Sequence, residues 1–171
     1  MYSAALHTFS SRSAQSIRRL RAFSLIELVI VIVIIGVLAA IAVPRLSRGA
    51  SAAGENALAA NLSVIRNGIE MFAAEHGQTY PAIGDLTNAL TQYSNLAGTT
   101  FGARDVATGV IYGPYVRTIP ALSVGAKKGE TAFVATLGGA GGWVYTAATG
   151  TVTANCADAE VDGAGKKYNV Y

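Results

Sequence analysis

Residues 22–46 read AFSLIELVIVIVIIGVLAAIAVPRL, and this stretch decides the fold. Phe23–Val43 is 21 residues long and contains one charged side chain, Glu27. A helix of that length extends about 30 Å, which matches the hydrocarbon core of a bilayer. The sequence therefore predicts a membrane-spanning helix with an acidic residue near its start, where an unpaired carboxylate is costly.

The positive charge of the chain is concentrated before this helix. The 171-residue chain has a formal charge of +3, but four of its thirteen Lys/Arg residues precede Phe23 and all ten Asp/Glu residues follow it. Residues 23–171 therefore carry a net charge of −1, so no nucleic-acid partner is expected. Basic residues before an apolar segment place the N-terminus in the cytoplasm and the rest of the chain across the membrane.

Three interpretations of the N-terminal segment are open at this point. The first is a secretory signal peptide with a small-residue exit at Ala40–Ala42, or a twin-arginine signal carrying Arg18–Arg19. The second is a plain membrane anchor in which Glu27 is an interfacial charge. In the third, cleavage between Ala22 and Phe23 creates a cationic α-amino group that pairs with Glu27 of an adjacent subunit.

Helix-forming sequence continues beyond Pro44, which is expected to kink or loosen the helix locally. Downstream, apolar residues recur at alternating spacings of four and three, which predicts one buried helix face: Leu58, Leu62, Ile65, Ile69 and Phe72. Gly77 suits a C-cap at the end of this pattern. One helix is therefore predicted from about Ser24 to Glu75, apolar all round in its first half and amphipathic in its second.

The remaining residues predict a small domain. A short helix is expected from Leu86 to Tyr93 with Asp85 as its cap, and Asn95–Thr108 has the composition of a loop. Strands are predicted at Tyr115–Ile119, Thr131–Leu137, Gly142–Thr146 and Thr151–Ala154. The last two form a hairpin with Gly150 in a left-handed conformation. The expected fold class is α+β, with the long helix packed against a small antiparallel sheet of three or four strands.

The stretch Ala22–Leu46 resembles the N-terminal signature of type IV pilins and type II secretion pseudopilins. The shared features are a phenylalanine start, an acid four residues later, an internal glycine and a proline near the end of the span: Phe23, Glu27, Gly36 and Pro44. The resemblance implies cleavage between Ala22 and Phe23 by prepilin peptidase, which in this family normally cuts after glycine. It also implies N-methylation of Phe23 and assembly through Glu27, Gly36 and Pro44.

The resemblance also implies a domain organisation. Residues 1–22 are a basic leader that is removed, 23–43 a hydrophobic transmembrane and polymerisation helix, 44–76 its amphipathic continuation, and 77–171 a globular head. Two head segments, AEHGQTYPA and GGWVYTAATGTVTAN, are similar to the major pseudopilin of type II secretion systems. YGPYVRTIPAL stands where that branch has a Pro-Trp-Gly segment.

The implied function is that of a structural subunit and not of an enzyme. It would polymerise with itself into a helical filament, with prepilin peptidase, minor pseudopilins and an inner-membrane assembly platform as further partners. The implied location is a bacterial inner membrane, crossed once with the head in the periplasm, before extraction into the filament. The alternatives are a type IV pilin for adhesion, motility or DNA uptake, and a membrane-anchored periplasmic binding domain that never polymerises.

One segment of the head predicts a ligand. Asp158, Glu160 and Asp162–Gly163 copy the opening of a calcium loop, although position twelve is Asn169 instead of glutamate and no helices flank the segment. Calcium binding near the C-terminus is also what the resemblance to major pseudopilins implies. The alternative is a solvated acidic turn with Lys166–Lys167 as counter-charges.

Other reactive residues have structural interpretations. His76 is expected at the C-terminal end of the long helix, where an imidazolium suits the dipole. Cys156 is the one cysteine of the chain, so it cannot form an internal disulfide and is expected to be an inert or partly buried thiol; a dimer-forming or reactive thiol is the alternative. The glycine-rich Leu137–Gly142 is expected to be a turn or a site of close backbone approach, not a phosphate loop.

Overall fold

The computed structural model describes residues 23–171, which fall into two compact units. The first unit ends at Ile41 and the second is Ala42–Tyr171. A helix, α1 (Leu25–Glu75), begins in the first unit and ends in the second. The predicted leader 1–22, and with it Ala22 of the cleaved bond, lies outside the described residues.

The first unit consists of exposed apolar helix. Every side chain from Phe23 to Ile41 is exposed, and Glu27 lies in the first turn of α1, where a carboxylate interacts favourably with the helix dipole. An 18-residue window in α1 has a mean hydropathy of 3.2, and none of its residues is buried. By length and composition, α1 can cross a membrane.

In the second unit, α1 buries one face. The predicted stripe is confirmed, and the close-packed face includes two small residues as well: Leu58, Leu62, Ile65, Gly68, Ile69, Phe72 and Ala73. Pro44 lies inside the helix, as predicted. Gly77 ends it with φ 65°, and the amide of Gln78 donates to the carbonyl of Ala73 at 2.8 Å, so the predicted C-cap is also confirmed.

The short helix α2 spans Leu86–Thr91, two residues less than expected, because Tyr93 enters a strand. Asp85 occupies its N-cap position, but the side chain accepts no capping hydrogen bond. The backbone of Asp85 is in the helical region, with φ −102° and ψ −9°, and not in the extended conformation from which a side chain reaches the first amides.

Within residues 23–171, five strands form two small sheets. β1 (Tyr93–Ser94) and β2 (Phe101–Gly102) pair antiparallel. β3 (Phe133–Val134), β4 (Trp143–Thr146) and β5 (Thr151–Ala154) form a second sheet in that order. The β4–β5 hairpin is confirmed, with φ 67° at Gly150. A single-turn 3-10 helix follows at Tyr168–Val170.

Three expectations for the sheets were wrong. β3 runs parallel to β4, so the larger sheet is mixed and not antiparallel. The segment expected to be loop, Asn95–Thr108, contains β2. Tyr115–Ile119 is not a strand, because the amides of Tyr115 and Val116 both donate to the carbonyl of Leu90 at 3.0 Å, which ties this segment to the end of α2.

The glycine-rich connection between β3 and β4 is held by one buried amide. Asn155, 2% exposed, donates from Nδ2 to the carbonyls of Gly139 (2.8 Å) and Gly141 (2.6 Å). Its Oδ1 accepts from the amide of Gly138 at 2.8 Å. A Cβ added at Gly142 would lie 2.2 Å from the carbonyl oxygen of Glu130. The predicted close backbone approach is therefore confirmed.

Substituting alanine for Gly142 is expected to lower the free energy of unfolding by about 3 kcal/mol, because backbone must move to admit the methyl group. Gly84→Ala is the matched control, since an added Cβ there has no heavy atom within 4 Å. Its expected effect is within about 0.5 kcal/mol. Denaturant unfolding of the full chain in detergent, followed by Trp143 fluorescence, measures both. Equal midpoints for the two variants would contradict the close approach.

The core lies between α1 and the larger sheet. Trp143 and Tyr145 project from β4 with exposures of 0% and 1%. Trp143 donates from Nε1 to the Pro120 carbonyl at 2.9 Å, and the Tyr145 hydroxyl donates to the Pro81 carbonyl at 2.9 Å. Burial raises the pKa of Tyr145 to about 12, so this hydroxyl stays a donor at physiological pH.

Arg66 connects α1 to the end of the chain. Its Nη2 donates to the carbonyls of Val152, at 3.0 Å, and Tyr171, at 2.6 Å. The guanidinium thus joins the helix to β5 and to the C-terminal residue, where it meets two carbonyl oxygens with the planar fork geometry characteristic of arginine.

Candidate functional site

The candidate site is the exposed part of α1, and its most informative residue is Glu27. The carboxylate has no basic side chain within salt-bridge distance among residues 23–171. Phe23, four residues earlier, is 74% exposed and precedes the first helical residue. An acid on an apolar helix is costly in a membrane or a protein interior unless a positive charge meets it. Among the described residues, no basic group offsets that cost.

The apolar surface around Glu27 is uncovered. The large apolar side chains of α1 from Leu25 to Leu46 are between 38% and 82% exposed. Exposing a contiguous apolar surface of this extent to water is unfavourable in free energy, so we expect lipid or other protein chains to cover it. The helix is thus suited both to residence in a membrane and to packing against other helices.

Gly36 and Pro44 both lie in the exposed part of α1. A Cβ added at Gly36 would have no heavy atom of the described residues within 4 Å, so no contact with them requires glycine there. Glycine allows a neighbouring helix to approach closely in an apolar environment. Pro44 lies inside α1 and cannot donate to the carbonyl of Ala40, so one helical hydrogen bond is missing at that turn.

The sequence comparisons bear on this same helix. Residues 17–43 match the model of the prokaryotic N-terminal methylation motif. The match spans the bond between Ala22 and Phe23 and ends with the apolar run at Val43. No curated protein and no solved structure matches the chain.

The methylation motif supports a type IV pilin-like subunit that prepilin peptidase processes and that polymerises as pilins do. The motif is one of structural subunits and not of an enzyme family. A long N-terminal helix followed by small sheets gives an α+β fold consistent with that of type IV pilins. The apolar helix is likewise compatible with membrane anchoring.

His76 and Cys156 have structural roles. His76 lies at the end of α1, as predicted, but is only 6% exposed and stacks on Phe72 with ring centroids 3.8 Å apart. Its Nδ1 lies 2.7 Å from the Phe72 carbonyl, and its Nε2 lies 3.0 Å from Ser94 Oγ. Cys156 is fully buried, and burial followed by the Glu160 charge raises the pKa of its thiol to about 11. Such a thiol is protonated and inert at neutral pH.

The residues of the predicted calcium site each have partners of their own. Asp158 accepts from Lys167 Nζ at 2.7 Å and from Asn169 Nδ2 at 2.8 Å. These two hydrogen bonds, that of Lys167 first, lower the pKa of the Asp158 carboxyl. Glu160 accepts from the amides of Ala126, at 2.5 Å, and Ala157, at 2.6 Å.

Asp162 is bonded to a third set of donors. Its Oδ1 accepts from the amides of Ala164 (2.8 Å) and Lys166 (2.9 Å), and its Oδ2 accepts from the Tyr171 hydroxyl. The Tyr171 hydrogen bond is the largest cause of the lowered pKa of Asp162. Within residues 23–171, no three His, Cys, Asp or Glu side chains are grouped so that they could hold a metal ion. The predicted set therefore does not fit calcium as it is arranged.

Proposed function

We propose that the protein is a structural subunit of a type II secretion pseudopilus. It is inserted once in the inner membrane with its head in the periplasm, cleaved between Ala22 and Phe23, and N-methylated at Phe23. It then polymerises with itself through α1. The observation that carries the proposal is a methylation motif on a helix whose N-terminal apolar surface is uncovered and whose Glu27, the one acid of the run Phe23–Val43, has no basic partner among the described residues.

Cleavage supplies the missing charge. The new α-amino group of Phe23 is cationic at neutral pH, and methylation keeps it basic. When helices pack in parallel with an axial offset, the amine of one subunit meets Glu27 of the next. Other offsets leave two charges unpaired in apolar surroundings, so the pair selects one register.

Apolar packing drives the transfer from membrane to filament. In the bilayer, lipid chains cover the residues from Leu25 to Val43; in the filament, neighbouring helices cover them. Gly36 allows two helices to approach closely, and the missing hydrogen bond at Pro44 lets α1 adjust its path. Minor pseudopilins and the inner-membrane assembly platform are the proposed partners of this step.

The assignment to secretion rests on the head. Its segments 74–82 and 141–155 are similar to the major pseudopilin. The first contains the last two residues of α1 and the turn that follows, and the second contains the β4–β5 hairpin. A type IV pilin carries the same N-terminal motif, so the motif does not distinguish the two functions. The phenotype of a deletion strain does. Deleting the gene in its native host is expected to stop export of secreted proteins and to leave adhesion, motility and DNA uptake unchanged. The opposite pattern would identify a pilin.

The mature N-terminus tests the proposal most directly. Intact-mass and peptide mass spectrometry of the protein from its native host is expected to show a chain that begins at Phe23 and carries one added methyl group. Coexpression with and without prepilin peptidase in a heterologous host is the control, and the chain without peptidase should keep residues 1–22. An Ala22→Gly variant should be cleaved at least as completely. An unprocessed native chain, or one cut after Ala42, would overturn the proposal.

A further inference from the structure

The C-terminal loop is defined as residues 158–169. In this loop a lysine side chain lies beside the carboxylates for which the resemblance to major pseudopilins implies a calcium ion. We propose that the Lys167 ammonium group takes the place of that cation, so that the head closes this loop without a metal. The proposal concerns the head alone, so its failure would leave the proposed function of α1 intact.

The first argument is the pairing at the two ends of the loop. Lys167 Nζ lies 2.7 Å from Asp158 Oδ2, and this is the one salt bridge in the described part of the chain. A calcium loop needs a cation because its carboxylates repel one another. Here an ammonium group, with its three donor hydrogens, meets the first carboxylate of the loop directly.

Asn169 is the second argument. It stands at position twelve, where an EF-hand has the glutamate that grips calcium with both oxygens. Its Nδ2 donates to Asp158 Oδ1 at 2.8 Å and to the Cys156 carbonyl at 3.2 Å. A glutamate there would face Asp158 as a like charge unless a cation lay between them. The amide replaces that repulsion with a hydrogen bond.

The orientation of Asn169 supports the same conclusion. Its Oδ1 is buried without a hydrogen-bond partner among the described residues. Rotating the amide by half a turn would direct Oδ1 at Asp158 and at the Cys156 carbonyl, which are both acceptors. Without a metal, the observed orientation is therefore the better one, because two donated hydrogen bonds offset one unsatisfied acceptor.

The remaining carboxylates of the loop already accept hydrogen bonds from protein donors. Glu160 accepts from the amides of Ala126 and Ala157, and Asp162 accepts from two amides and the Tyr171 hydroxyl. Each of these hydrogens occupies one of the lone-pair positions through which a carboxylate oxygen could bind a cation. Lys166 adds a second positive charge, with Nζ 3.9 Å from the Tyr171 ring centroid. Calcium would have to displace several donors, against the charge of two lysines.

Thermal unfolding of the full-length protein in detergent micelles tests the proposal, with the fluorescence of buried Trp143 as the readout. The melting temperature is expected to be the same in millimolar calcium and in a chelator. A site filled at about 100 times its dissociation constant would raise the melting temperature by several degrees. A rise of that size in calcium, or an equal fall in the chelator, would overturn the proposal.

A substitution at Lys167 tests the position of the charge. Lys167→Asp puts a carboxylate beside Asp158, so its melting temperature should fall in the chelator and recover at least partly in calcium. Lys128→Asp is the matched control, since Lys128 is also exposed, and it should not respond to calcium. If Lys167→Asp does not fold under either condition, Lys167→Met decides. The melting temperature of Lys167→Met should be lower than that of Lys128→Met and should be the same in calcium and in the chelator. Equal melting temperatures for the two variants would contradict the role of Lys167.

Discussion

Glu27→Ala is expected to reduce filament assembly by about 100-fold or more while the protein is still inserted in the membrane and still cleaved before Phe23. Removing one partner of a buried ion pair costs about 3–5 kcal/mol, because the other charge stays buried and unpaired. In a filament that cost recurs at every subunit contact. Insertion should not suffer, since the substitution makes the span more apolar.

The measurement compares three fractions from one culture. Filaments sheared from the cells report assembly, the membrane fraction reports insertion, and mass spectrometry of the N-terminus reports processing. Glu70→Ala is the matched control, because Glu70 is an exposed acid on the same helix that lies outside the apolar segment. Glu27→Asp keeps the charge and should retain part of the assembly. Normal filaments from Glu27→Ala would remove the proposed pairing with the Phe23 amine.

Trp143→Ala is expected to lower the free energy of unfolding of the head by about 3–5 kcal/mol. The side chain is fully buried in β4, and its Nε1 satisfies the Pro120 carbonyl at 2.9 Å. Alanine leaves a cavity and an unpaired acceptor. Since small domains have a total stability of about 5–15 kcal/mol, the variant loses a large part of its margin.

Denaturant unfolding followed by circular dichroism measures this loss, because the variant lacks the tryptophan signal. Trp143→Phe should cost less, since it keeps most of the apolar volume and loses mainly the hydrogen bond. Val144→Ala is the control on the same strand; Val144 alternates with the buried Trp143 and Tyr145 and is only partly buried. If Trp143→Ala and Val144→Ala unfold at the same denaturant concentration, the packing argument fails.

The parts of the fold that depend on local sequence were predictable. The bounds of α1 and its buried stripe follow from periodicity, and the β4–β5 hairpin follows from alternation around a turn. Gly77 and Gly150 have the positive φ values, 65° and 67°, that a cap and a hairpin turn require. Each of these signals lies within a few residues of the feature that it predicts.

The parts that depend on distant contacts were not predictable. Tyr115 and Val116 bond to the carbonyl of Leu90, some 25 residues earlier, and this contact decides that their segment is not a strand. The parallel pairing of β3 with β4 depends on a glycine-rich connection that Asn155 holds from the following strand region. No spacing rule indicates such partners.

The candidate site residues also divide into those that local sequence indicates and those whose role depends on distant contacts. The N-terminal motif is position-specific, so Phe23 and Glu27 could be singled out from spacing alone. The three carboxylates of the C-terminal loop copied a calcium pattern, but their function depends on their neighbours. Closure of the loop brings Lys167 to Asp158, and a pattern of acids does not report which donors reach them first.

The attachment of Tyr171 determines where a label can be placed on this protein. Its carbonyl accepts from Arg66, its hydroxyl donates to Asp162, and its ring lies beneath Lys166. An affinity tag or fluorescent fusion added after this residue would pull on all three contacts and on the loop that they close. The exposed turn at 106–108 has none of these attachments, so an epitope for imaging filaments belongs there.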